Sequence, residues 1–67
     1  MVWHDIRRLF DKYVGEQVEI KMKKGPLFVG KLIWVSPDKS MAELQLESGE
    51  IKTFSDIDVN DVILLST

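Results

Sequence analysis

Asp56-Ile57-Asp58-Val59-Asn60-Asp61 sets oxygen ligands at alternate positions, the spacing with which a calcium-binding loop begins. The sixth position lacks the glycine that such a loop needs, and the twelfth is Thr67 rather than a bidentate glutamate. The stretch therefore reads as an acidic surface turn. One histidine, His4, and no cysteine leave no donor set for zinc. Ser36, Ser40, Ser48 and Ser55 stand in no pattern that would activate a nucleophile. No catalytic residue, metal site or cofactor is expected. The chain is expected to bind rather than to catalyse.

Charge supplies the candidate binding residues. Residues 1–35 carry seven basic and four acidic side chains, whereas residues 36–67 carry two basic and seven acidic, for a net charge of −2. An acidic balance argues against a protein that simply coats DNA, since those are strongly basic. The uneven distribution allows one face to attract anions and another to repel them, or copies to dock head to tail. Arg7, Arg8 and Lys12 form one basic group, and Lys21, Lys23 and Lys24 another.

These side chains need a scaffold. Val2, Ile6, Leu9, Phe10 and Tyr13 fall at helical spacing, which predicts a helix over 2–14 with Asp5 in its first turn, Lys12 near its last and Gly15 behind it. The period then drops to 2. Gln17–Lys23 alternates without a fault, Lys24-Gly25-Pro26 turns, and Leu27–Val35 forms a strand apolar on both faces, with Gly30 expected to mark a bend or bulge. Further strands are expected at 42–47, near 50–54 and at 62–65. The fold class is mainly β: one N-terminal helix, then a strongly bent five-stranded antiparallel barrel, all in one domain over 1–67.

A domain this short buries roughly 60% of its unfolded surface, and it has no disulfide or metal to compensate. Self-association is the remaining device. Val62-Ile63-Leu64-Leu65 has no polar face, so both faces need cover. Either the N-terminal helix supplies it, or a second copy does. The second reading places Ile51, Thr53 and Phe54, together with Val62, Ile63, Leu64 and Leu65, in an oligomer interface. No segment is long and apolar enough to span a membrane and the start does not resemble a signal peptide, so a cytoplasmic address is expected, with no membrane partner.

Val18-x-Ile20-x-Met22-Lys23-Lys24-Gly25, followed by Gly30 and Leu32 and preceded by a helix, resembles the first motif of the Sm and Sm-like (LSm) proteins. The resemblance covers the whole chain in layout. It implies a helix on a bent five-stranded barrel, assembly into homo-oligomeric rings by strand pairing, and single-stranded RNA as a ligand. Asp38-Lys39-Ser40-Met41-Ala42 resembles the family's RNA-contacting Asp-x-x-Met-Asn, which nominates Asp38 and Met41, with Ala42 in place of the asparagine. Ile57-Asp58-Val59 stands where the family has Ile-Arg-Gly. Without that asparagine and arginine the usual base pocket is lost, and the two basic groups become the nucleic-acid candidates.

A second reading makes the chain a protein-interaction module of Tudor or SH3-like type, with a protein partner held at a sheet edge or aromatic notch. The rings of Trp3, Phe10, Tyr13, Phe28, Trp34 and Phe54 are the material for it. All six are expected in the core, with Phe28 and Trp34 the most exposed.

Overall fold

The structure is a computed structural model that describes Asp5–Leu65. The expected helix start at residue 2, the Trp3 ring and His4 lie outside the described residues, as does Thr67. The chain is mainly β, with one helix, α1 (Ile6–Tyr13), before five antiparallel strands. These are β1 (Gln17–Met22), β2 (Leu27–Val35), β3 (Met41–Leu46), β4 (Ile51–Ser55) and β5 (Val59–Leu64), with a 3₁₀ turn at Asp56–Asp58.

Helix α1 is capped by Asp5, not opened by it: the Asp5 carboxylate accepts from the Arg8 backbone N–H at 3.4 Å. Ile6 and Phe10, one turn apart, are buried on the sheet, with Leu9 and Tyr13 packed beside them. The helix ends at Tyr13 because Val14 is extended and Gly15 has φ +91, which makes a type II turn closed by Glu16 N–H donating to Tyr13 O at 3.0 Å.

Sheet order is β4-β3-β2-β1-β5. The inner face carries Val18, Ile20, Leu32, Ala42, Leu44, Phe54, Val59 and Val62, all buried, with Phe28 and Leu46 at its margins. Gly30 serves a close approach, and of the bend or bulge expected there the bulge lies elsewhere. A Cβ at this position would collide with the Gln45 carbonyl oxygen and lie 2.9 Å from its carbon. The bulge falls three residues later at Ile33, where Leu32 faces Leu44 and Trp34 faces Glu43. Gly30→Ala is expected to lower stability by about 1–3 kcal/mol, since β2 and β3 would have to separate; urea unfolding followed by circular dichroism measures it.

Two further expectations are corrected. Strand β5 begins at Val59, not Val62, because a second bulge at Asn60 lets Val59 and Val62 both turn inward. Trp34 is not a core residue: it is 44% exposed, since the Ile33 bulge leaves both side chains on the outer surface.

The sheet bends but does not close. Four antiparallel steps separate β4 from β5, so the two end strands run in the same direction and no ladder joins them. Among the described residues the sheet therefore has two open edges.

Candidate assembly and nucleic-acid interface

Which backbone groups point out of each edge follows from the ladder. On β4, Lys52 opposes Leu44 and Phe54 opposes Ala42, and the flanking bonds Leu46 N to Glu50 O (2.8 Å) and Asp56 N to Ser40 O (2.8 Å) set the alternation. Lys52 and Phe54 thus bond inward to β3, leaving the N–H and C=O of Ile51, Thr53 and Ser55 to face out. On β5, Leu65 N donates to Gln17 O at 2.9 Å, and Glu19 opposes Ile63. The groups of Val62 and Leu64 therefore face away from β1. One is already occupied: the Asp61 carboxylate accepts from the Val62 N–H at 2.8 Å.

The expected interface residues divide accordingly. Ile51 (44%), Leu64 (38%) and Leu65 (37%) are exposed apolar side chains, Thr53 is exposed and Ile63 half-buried. The side chains of Phe54 and Val62 are turned into the core of their own copy, and the Phe54 backbone bonds β3. Phe54 is thus a core residue, as expected for its ring, and its side chain does not serve the interface in which it was also placed. Helix α1 leaves Leu64 and Leu65 uncovered. Lys52, which the sequence reading passed over, lies on the inner side of β4, with its ammonium 5.4 Å from the Phe28 ring centre and 3.6 Å from Glu50. An inward charge on an edge strand discourages indiscriminate pairing.

The basic candidates also divide. Arg7 gives its Nε to the Asp56 carboxylate at 2.8 Å, which raises the guanidinium pKa further and removes Arg7 from the free cations. This bond ties α1 to the turn before β5. The open groove between them, about 890 Å³, sets Asp5, Asp56 and Asp61 against Arg7 and Lys23, a poor lining for phosphate. Lys12 lies 5.6 Å from the Tyr13 ring centre. Arg8, Lys12, Lys21 and Lys24 are exposed and make no ion pair among the described residues.

Asp38 is structural. Its carboxylate accepts from the Ser40 N–H (3.0 Å), the Ser40 hydroxyl (2.7 Å) and the Ser36 hydroxyl (2.8 Å), while the buried Ser36 accepts from the Met41 N–H (3.0 Å). Lys39, at φ +67, completes the turn. Those bonds, led by the Ser40 N–H, hold the Asp38 pKa at about 2. Ala42 is fully buried and offers nothing to a base, and Met41 is half-buried beside it.

The depressed pKa has a definite sign. The Asp38 contribution is complete above the unfolded value of about 3.9 and is lost as pH falls through about 2. Asp38→Asn is expected to lower stability at neutral pH and to flatten its dependence between about pH 4 and 2. Unfolding midpoints at stepped pH check this, and parallel curves for variant and wild type would exclude the latch.

No helix among the described residues is long and apolar enough to cross a membrane. Comparison with protein-family models, characterised proteins and solved structures finds no match for this chain.

Proposed function

We propose that this chain is a non-enzymatic, Sm-like binding module that works as a homo-oligomeric ring, its copies joined where β4 of one meets β5 of the next. The observation that carries this reading is the pair of uncovered edges in a sheet whose topology gives them no partner in their own copy. Ile51, Leu64 and Leu65, exposed at those edges among the described residues, would gain cover from the strand of another copy.

Single-stranded RNA is the ligand class proposed for the ring. Its support is a group of exposed cations that make no ion pair among the described residues, including Arg8 and Lys12 on α1 and Lys21 and Lys24 at the β1–β2 turn. With Asp38 and Ala42 committed to folding, contact runs through the phosphate backbone and little base preference is expected. Arg8→Glu with Lys12→Glu is expected to weaken binding of an oligouridylate or oligoadenylate at least tenfold at low salt. Fluorescence anisotropy at two salt concentrations reads it. Binding that ignores both the variant and salt would remove RNA from the account.

A second reading has its own observation. The outer side of β2 exposes Leu27 (52%), Val29 (45%), Ile33 (38%) and Trp34 (44%), an apolar strip suited to a protein ligand. Indifference to RNA together with a measured protein partner that Trp34→Glu abolishes would favour it.

A further inference from the structure

We propose that the outer face of β2 docks a basic amphipathic helix of a partner protein, its apolar stripe on Leu27, Val29, Ile33 and Trp34 and its cations on the glutamates at either side. This rests on the second reading above, that the strip takes a protein ligand, and adds the shape and charge of what binds.

Register fixes the surroundings of the strip. Glu19 on β1 stands beside Val29, and Glu43 on β3 stands beside Trp34. Glu47, just past the end of β3, borders the same face near Val29. None of these three carboxylates makes an ion pair among the described residues. The strip holds one cation, Lys31, between Gln17 and Gln45. Its aliphatic stem adds apolar surface while its ammonium reaches water. Lys21, beside Leu27 at the strip's end, faces Asp61 across β1 and β5. Around Lys31 the face sinks into a hollow of about 360 Å³ bounded by Gln17, Val29, Gln45 and Glu47, room for one anchoring side chain.

Dimensions suit a helix. The strand from Leu27 to Trp34 runs about 23 Å, which a helix of about 15 residues spans. Glu19 and Glu47 sit one strand away on either side of β2, about 10 Å apart, the width of a helix with its side chains. A helix with an apolar stripe and Lys or Arg along both margins therefore meets glutamates on both sides of the strip. Charge decides against other occupants. A second copy laid on the strip about a two-fold axis at Lys31 would set Lys31 on Lys31 and Glu47 on Glu19 or Glu43. A phosphate backbone would meet three carboxylates around that one lysine.

Titration with a labelled model peptide tests this. A helical peptide of about 15 leucines and lysines is offered to the full chain, with a leucine–glutamate counterpart as the opposite case. The chain has two tryptophans, so Trp3→Phe leaves Trp34 as the reporter. The leucine–lysine peptide is expected to gain anisotropy and to shift Trp34 emission to the blue, because the exposed indole loses water. Glu19→Lys with Glu43→Lys, shown folded by circular dichroism, should weaken that peptide at least tenfold and admit the leucine–glutamate one. Asp58→Lys, off the strip in the 3₁₀ turn, should cost less than about twofold. Equal binding of both peptides with the Trp34 shift retained would overturn the basic partner and leave the apolar strip standing. No anisotropy gain and no emission shift with either peptide would overturn both.

Discussion

Thr53→Pro is expected to take the assembled protein apart while leaving each copy folded. The Thr53 N–H points out of the β4 edge, because Lys52 and Phe54 are the residues that bond β3. Proline there deletes a donor that only a neighbouring copy uses and sets its ring in the seam. The lost hydrogen bond costs about 0.5–1.5 kcal/mol and the intruding ring about 1–3 kcal/mol more, so the concentration for half-assembly should rise at least tenfold. Lys52→Pro is the matched control. It removes the N–H that bonds Leu44 within the copy and should unfold the chain instead. Light scattering and far-ultraviolet circular dichroism on both variants separate the cases. If Thr53→Pro left the mass unchanged, the β4 edge would not be where copies meet.

Phe10→Ala is expected to leave too little stability for a folded copy. Phe10 is fully buried and is the largest side chain that α1 contributes to the core, between the helix and the inner face of the sheet. Truncating a buried phenylalanine costs about 3–5 kcal/mol through lost burial and the cavity left behind. A chain of 67 residues holds roughly 3–10 kcal/mol in all. The urea midpoint should fall by half or more, and α1 should fray from the sheet. A loss under about 1 kcal/mol would mean that the sheet is stable without its helix.

Strand positions were legible where one face is polar. Gln17–Met22 and Met41–Leu46 alternate in the sequence as they do in the fold, with Val18, Ile20, Ala42 and Leu44 inside. What the sequence hid lies at the two bulges. Ile33 and Asn60 each add one residue and flip the alternation beyond it, and neither residue type announces that. The first flip leaves Trp34 outside, and the second brings Val59 inside from among three aspartates. The Arg7–Asp56 bond spans 49 positions, so no local pattern could disclose that this cation is spent. The tail Val62–Leu65, expected from its four aliphatics to need cover on both faces, divides in the fold. Val62 is satisfied within the copy, while Leu64 and Leu65 are not.

The Asp38 turn shows how a resemblance in sequence can be kept for a different purpose. Its carboxylate, two serine hydroxyls and the Met41 N–H form a closed local network, and Ala42 is sealed beneath. Stabilising the bend between β2 and β3 accounts for those residue types without a base in the pocket. Exposed cations that make no ion pair among the described residues sit on the helix, at the β1–β2 turn and, as Lys31, on β2.

Native mass spectrometry of the wild-type chain across a hundredfold range of concentration reaches the core of the matter. Strand edges that run in the same direction and find no partner at home should yield one closed species, a fixed whole-number multiple of 7.7 kDa, over most of that range. A lone 7.7 kDa species at every concentration would mean that both edges are tolerated in water, and the assembly described here would not exist.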